Sequence, residues 1–378
     1  MPSENSIDIR NILSSTDYSA NLIAIAEKVV GNKRISSADA VSLYNEADLG
    51  FLGILANYVN AQKNKDVVFF NQNFHIEPTN LCVYNCTFCS YKGEAGDPNS
   101  WEHSLPDIKR LLQPFKSRPV TEVHITGGVH PKWDLNYYCQ IVSTIKQEMP
   151  NIHVKAYSAV ELDYVFRKAH LTANEGFKKL KQSGLNSIPG GGAEIASPDI
   201  RSKICGEKCS WNRWLEIHEA AHNEGIQSNA TMLYGHIENY IHRVEHMEAL
   251  RTLQDKTKGF NCFIPLKFKA RNNNLAYIGE VSTIEDLKNF AVSRIFLDNF
   301  KHIKAYWPML GKQATQLSLH FGVNDVDGTI DDSTKIYSMA GAEDQKPSMT
   351  TDEISQLIRK ANKKPVERDS LYNPIRPY

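Results

Sequence analysis

From residue 66 onward, short apolar runs alternate with longer stretches whose apolar positions recur at helical spacing. The short runs predict strands at Phe74 to Glu77, Glu122 to Thr126, His153 to Tyr157, Ser187 to Pro189, Gln227 to Met232, Asn261 to Leu266, Ile303 to Trp307 and Gly322 to Val326. The longer stretches predict helices over Pro106 to Lys116, Leu135 to Met149, Asn174 to Ser183, Trp211 to Glu224, Tyr240 to Lys256, Thr283 to Leu297 and Gly311 to His320. Eight strands alternating with helices predict an α/β fold, a (β/α)8 barrel of TIM type rather than an open doubly wound sheet. The strand signal is thinnest in the fourth and eighth runs.

Residues 1–65 read as a helical lead-in, with helices at Ser37 to Glu46 and Leu52 to Lys63. Residues 66–330 form the barrel core, and residues 331–378 a C-terminal helix, Thr350 to Ala361, followed by a Pro-rich tail expected to wrap the surface. A barrel of this kind carries its chemistry at the C-terminal ends of its strands. The strand positions are therefore also candidate site positions.

Charge narrows the partner. The chain has 43 Lys and Arg against 43 Asp and Glu, so no global field draws it to nucleic acid or an anionic membrane. A small-molecule substrate is expected. The most apolar stretch, Leu49 to Val59, is broken by Gly53 and Asn57 and is too short to span a bilayer. The first residues carry no signal-peptide pattern, so a cytoplasmic location is expected. Seven cysteines is an odd number, and three fall within eight positions, which suits metal ligation better than a disulfide framework.

Those three, Cys82, Cys86 and Cys89, have the spacing C-x-x-x-C-x-x-C directly after the first predicted barrel strand. Three thiolates hold three irons of a four-iron four-sulfur cubane and leave the fourth open. An open iron can chelate the amino and carboxylate groups of S-adenosylmethionine, and one-electron reduction then yields a 5'-deoxyadenosyl radical. Phe88, just before Cys89, would shield the cluster. A zinc site completed by His75 or His103 is the alternative, but zinc sites pair their cysteines in matched knuckles. Cys205 and Cys209 supply only one further pair, and Cys139 and Cys262 read as packing residues.

Glycine runs follow two other strands. Gly127 and Gly128 suit backbone approach to the methionine end of the cofactor, or a plain turn. Gly190, Gly191 and Gly192 allow a similar approach, with Glu194 able to reach a ribose hydroxyl or a substrate group. Glu161 is placed to bind the cofactor or transfer a proton, or else to serve as a helix-start carboxylate. Asn229 and Thr231 share one strand face, and Thr231 is a further cofactor-side candidate. Lys267, Arg271, Lys304 and Trp307 are candidates for binding an anionic aromatic substrate. His218 and His222 match the H-E-x-x-H zinc peptidase pattern. They fall on an outer helix, which makes packing the better reading.

Read together, these segments resemble the radical S-adenosylmethionine family that contains aminofutalosine synthase, dehypoxanthine futalosine cyclase and the second component of the deazaflavin (FO) synthase. The resemblance runs from about Glu46 to Tyr372. It rests on E-P-T-N-x-C-x-Y-x-C-x-F-C-S at 77–90, H-I-x-G-G-x-H-P at 124–131 and P-G-G-G-A-E-I at 189–195. N-A-T-M-L-Y-G-H-I-E at 229–238, F-I-P-L at 263–266 and L-D-N-x-x-H-I-K-A-Y-W at 297–307 are most similar to the aminofutalosine synthase branch. Lys258 departs from the pattern, which has a glycine there, and the loop Tyr91 to Ser104 is individual. The resemblance implies that the radical adds to the enol-ether double bond of 3-[(1-carboxyvinyl)oxy]benzoate. Rearrangement and loss of a carboxylate would then give 6-amino-6-deoxyfutalosine on the route to menaquinone. It also implies S-adenosylmethionine as a consumed substrate and an electron donor such as flavodoxin or ferredoxin. The cyclase and the deazaflavin enzyme are the alternatives within the family. A zinc peptidase and an iron-sulfur electron carrier are the alternatives outside it.

Overall fold

The computed structural model describes Ile9 and residues 18–330, 335–342 and 347–378. Its strands are β1 (Val67–Phe70), β2 (Asn73–Ile76), β3 (Glu122–Ile125), β4 (His153–Ala156), β5 (Ser187–Ile188), β6 (Gln227–Tyr234), β7 (Phe260–Lys267), β8 (His302–Ala305), β9 (Asp325–Val326), β10 (Lys364–Arg368) and β11 (Pro374–Pro377). Strands β2 to β9 are the eight predicted ones, each pairing in parallel with the next. This is the α/β TIM-type barrel, with the intervening helices on its outside.

The fourth and eighth predicted strands, β5 and β9, are present as two-residue strands. Closure differs from a full ladder. No ladder pairing joins β2 to β9 among the described residues. Polar groups close the seam instead: the Asn73 amide donates to Thr329 Oγ1 at 3.2 Å, that hydroxyl donates to the Asn73 carbonyl at 2.9 Å, and the Ile330 amide donates to Asn73 Oδ1 at 3.2 Å.

The tail does not wrap the surface as the sequence suggested. β10 pairs in parallel with β1, and β11 pairs antiparallel with β10, so both extend the sheet. Pro365 and Pro374 hid these strands, because proline is tolerated at strand starts and edges. The tail also plugs the lower end of the barrel. Arg368 donates to both carboxylate oxygens of Asp325, at 3.0 and 2.8 Å, and the Tyr372 hydroxyl donates to the same group at 2.5 Å. The Tyr372 ring stacks on His302 at 3.9 Å.

Outside the barrel, helices Ser37–Glu46 and Leu49–Asn64 pack against Thr283–Phe296, with the buried Tyr44 hydroxyl donating to Asn289 Oδ1 at 2.6 Å. Lys258 caps helix Tyr240–Thr257 at φ 54, a left-handed conformation in which glycine is the unstrained residue. No helix among the described residues is long and apolar enough to cross a membrane.

Removing the Arg368 side chain leaves the Asp325 charge buried with weaker compensation. Arg368→Ala is expected to cost about 3–5 kcal/mol in urea unfolding, and Tyr372→Phe about 1 kcal/mol.

Candidate active site

The site grows from the loop that follows β2. Thr79 starts it by accepting the Leu81 amide on its hydroxyl at 3.0 Å, and a turn with Cys89 N–H donating to the Cys86 carbonyl at 3.0 Å ends it. Three neighbours fix the loop between them. The Gly128 amide donates to the Thr79 carbonyl at 2.8 Å, and the Val83 amide to the Val129 carbonyl at 3.0 Å. The Thr87 amide donates to the Ile204 carbonyl at 2.9 Å, at the end of helix Pro198–Cys205. Cys82, Cys86 and Cys89 are all free thiols, half-buried in this pinned loop.

Gly127 and Gly128 are glycines because the cysteine loop lies on them. A Cβ at Gly127 would sit 2.6 Å from the Thr79 carbonyl oxygen, and one at Gly128 2.3 Å from that of Leu81. Glu161 is buried and forms a capping box: its carboxylate accepts the Ser158 amide and hydroxyl, each at 2.7 Å, at the start of helix Ala159–Lys168. This is the helix-start alternative. Burial pushes the Glu161 carboxyl up to about 7, against the hydrogen bonds from Ser158. None of these three residues lines the central cavity.

That cavity, of about 290 Å³, opens beside the cysteine loop at Phe88 and Cys89 and runs into the barrel. Gly191, Glu194 and Thr231 line it. A Cβ at Gly191 would meet nothing closer than 3.5 Å, so the surrounding protein does not demand glycine there. Gly190 does need to be glycine, since its Cβ would lie 2.6 Å from the Asn229 carbonyl. Thr231 donates its hydroxyl to the Gly190 carbonyl at 2.5 Å. Glu194 accepts from Lys208 at 2.7 Å. Burial alone would raise the Glu194 carboxyl, but the Lys208 ammonium outweighs it and holds the group below its ordinary value. Lys208 also lies 5.2 Å over the Phe88 ring.

Deeper in, the inward positions of β3, β4, β8 and the residues past β9 are polar. His124, Lys155, Lys304 and Asp327 line the cavity there. Lys155 is paired with Glu122, and Lys304 with Asp327 at 3.0 Å. Of the substrate candidates, Lys304 and Lys267 line the cavity, but the Lys267 ammonium is held by Asp286 at 2.8 Å. Trp307 is buried with its indole N–H donating to the Gly328 carbonyl at 3.0 Å. Arg271 offers its backbone carbonyl to the Ser90 hydroxyl at 2.7 Å. Sequence reasoning missed His124, Lys155, Asp327 and Lys208. The first two were readable in E-V-H-I-T and H-V-K-A, where polar residues alternate with apolar ones facing the helices.

His218 and His222 converge on one hydroxyl: His218 Nδ1 and His222 Nε2 each lie 2.8 Å from Ser228 Oγ. Burial pulls His222 down to about 4. The Trp214 ring lies tilted against His218 with centroids 3.7 Å apart, so the pair is packing between helix and strand. No group of three or more His, Cys, Asp or Glu is arranged to hold a single metal ion among the described residues. A cubane makes a different demand, with each thiolate on a separate iron. Three free thiols spread along one pinned loop, with Cys89 at the cavity wall, fit it.

A TIM-type barrel with this cysteine loop at its mouth defines a radical S-adenosylmethionine enzyme. Residues 76–250 match the radical SAM superfamily, and residues 257–377 match the CofH/MqnC C-terminal region. The chain is 42% identical to aminodeoxyfutalosine synthase of Thermus thermophilus over 359 residues, covering 94% of this chain and 96% of that one. It is 37% identical to 5-amino-6-(D-ribitylamino)uracil–L-tyrosine 4-hydroxyphenyl transferase of Methanocaldococcus jannaschii, over 90% of this chain and 97% of the other. Methylornithine synthase shares the fold, with a TM-score of 0.72 at 17% identity over 90% of this chain and 97% of its own. The chain belongs to the radical SAM superfamily, in the branch that carries the CofH/MqnC C-terminal region. A four-iron four-sulfur cluster and S-adenosylmethionine are therefore its cofactors.

Glu161 makes stability depend on pH. Below about pH 4.5 the group is neutral in both folded and unfolded chains. Between there and about 7 the folded chain keeps a proton that the unfolded chain loses, so stability falls as pH rises. Glu161→Gln removes this loss. Urea unfolding at pH 5 and pH 8 is expected to show the variant gaining on the order of 3 kcal/mol relative to the parent over that interval.

Proposed function

We propose that this enzyme catalyses the aminofutalosine synthase reaction. The observation that carries the reading is the match to aminodeoxyfutalosine synthase along nearly the whole of both chains. Cys82, Cys86 and Cys89 hold the cluster. When bound, the cluster supplies the electron that cleaves S-adenosylmethionine, whose 5'-deoxyadenosyl radical adds to 3-[(1-carboxyvinyl)oxy]benzoate, with rearrangement and decarboxylation giving 6-amino-6-deoxyfutalosine.

The chain's own residues bind, aim and exclude water. Phe88, Leu233, Ile264 and Leu266 give the cavity an apolar wall suited to a benzene ring. Glu194, kept ionised by Lys208, is an acceptor for a ribose hydroxyl, and Gly191 lets the nucleoside approach the backbone. Thr231 braces the Gly190 turn from β6. Gly127, Gly128 and Glu161 act indirectly, by seating the cysteine loop and the helix beside it. Such positioning supplies rate by holding the reacting atoms together, with no acid or base needed at the adding carbon.

Residues 66–330 carry this chemistry as the barrel core, with 1–65 as a helical lead-in and 331–378 as a C-terminal unit packed on it. The electron comes from a small redox protein such as flavodoxin or ferredoxin.

Reduced, reconstituted protein should be incubated with S-adenosylmethionine and, separately, the benzoate enol ether, dehypoxanthine futalosine, or tyrosine with 5-amino-6-(D-ribitylamino)uracil. An adenosyl-containing adduct is expected only with the first. Free 5'-deoxyadenosine without that adduct would sink the reading. Cys86→Ala should abolish both the cluster absorbance and turnover, whereas His218→Ala should keep the cluster.

A further inference from the structure

Inside the barrel lies a layer of buried charge that balances to zero. Lys155 pairs with Glu122, Lys304 lies 3.0 Å from Asp327 and 3.5 Å from Asp325, and Arg368 holds Asp325 from below. Three cations face three carboxylates. His124, on the cavity wall, stands outside this arrangement. His124 Nε2 is buried without a hydrogen-bond partner among the described residues, and the ring meets His75 edge-on at 4.6 Å. A buried polar atom left unmade costs about 1–3 kcal/mol, so an empty cavity leaves His124 under-satisfied.

We infer that His124 receives the ring carboxylate of an aromatic dicarboxylate substrate and takes up a proton as it does so. The inference rests on the proposed function for the orientation. The radical is made at the cysteine loop, so the enol-ether end of the substrate must lie there. The ring carboxylate, across the benzene ring, then points to the far end of the same cavity, where His124, Lys155 and Lys304 lie. The ammonium groups have N–H donors beyond those given to Glu122 and Asp327.

The proton follows from the charge balance. A carboxylate adds one negative charge to a neutral, desolvated layer. The groups facing His124 are His75 from β2, Glu122 on its own strand, Lys155 from β4 and Lys304 from β8, with Asp327 past β9 on the same cavity wall. The lysines and carboxylates are committed to one another, and His75 lies off the cavity wall. Burial, then His75 and Lys155, keep His124 well below the ordinary imidazole value, so it is neutral when the cavity is empty. An adjacent carboxylate reverses that preference. The proton comes from solvent, and the imidazolium then donates to the bound carboxylate.

The test uses holoenzyme and three ligands: the benzoate enol ether, isophthalate, and 2-phenoxyacrylate, which lacks the ring carboxylate. Wild-type protein is expected to bind 2-phenoxyacrylate roughly ten- to hundredfold more weakly than the enol ether. His124→Leu should narrow that difference severalfold, and His124→Gln, which keeps a donor, should narrow it less. Calorimetry with isophthalate at pH 8 in two buffers of different ionisation enthalpy should show uptake of about one proton, lost in both variants. Equal binding of the two enol ethers by wild type, an unchanged ratio in His124→Leu, or proton uptake that survives in the variants overturns the inference. Isophthalate bound with proton uptake, but no binding of the benzoate enol ether, supports the carboxylate site and rejects the proposed substrate. If His124→Leu fails to fold, the loss of proton uptake in His124→Gln carries the decision.

Discussion

The barrel of this enzyme is organised around buried ion pairs. Glu122 on β3 pairs with Lys155 on the neighbouring β4, while Asp325 in β9 and Asp327 just past it pair with Lys304 on the neighbouring β8, and Asp325 also holds Arg368. Barrels of this type normally fill these positions with branched apolar side chains. Charges here bring a desolvation cost that only close pairing offsets. The pairing fixes the inward side chains of β3, β4, β8 and β9 relative to one another, and so sets the shape and polarity of the cavity end. It also keeps that end neutral. A ligand charge entering it has to be matched by a proton or a counter-charge, which is a stronger filter than shape alone.

At the other end of the cavity the controlling constraint is steric. The cysteine loop rests on backbone at Gly127 and Gly128 with no space for a methyl group. The loop is thus positioned by main chain, which no rotamer change can relax. Glu161 supports the same region by capping the helix that follows β4, and pays with an uphill ionisation. Cluster end and polar end are therefore built by different physics, one by contact and one by charge.

This division also explains what could be read from the sequence. The eight barrel strands were legible because each is a short apolar run between amphipathic helices. The cysteine spacing was legible because few other chemistries need it. The glycine pairs were visible, but their partners were not: only the fold shows that Gly127 and Gly128 meet Thr79 and Leu81, while Gly191 faces open cavity. β10 was masked by Pro365 in a tail that read as irregular. His124 and Lys155 were legible in the alternation of E-V-H-I-T and H-V-K-A once those strands are placed in a barrel, whereas Asp327, past the two-residue β9, carried no such alternation. Lys208 lies in a loop with no periodicity at all, and its link to Glu194 exists only in three dimensions.

The tail plug also bears on the order in which the molecule is made. Asp325 precedes its partner Arg368 by 43 residues, and β1, whose Val67 pairs with Lys364, waits through the whole barrel for its neighbour β10. During synthesis the barrel strands therefore emerge before the residues that neutralise and seal the floor. A nascent chain halted in that interval has an open-ended barrel with an exposed β1 edge and an incompletely paired carboxylate. Completion of the fold is tied to strands that leave the ribosome after the barrel's own.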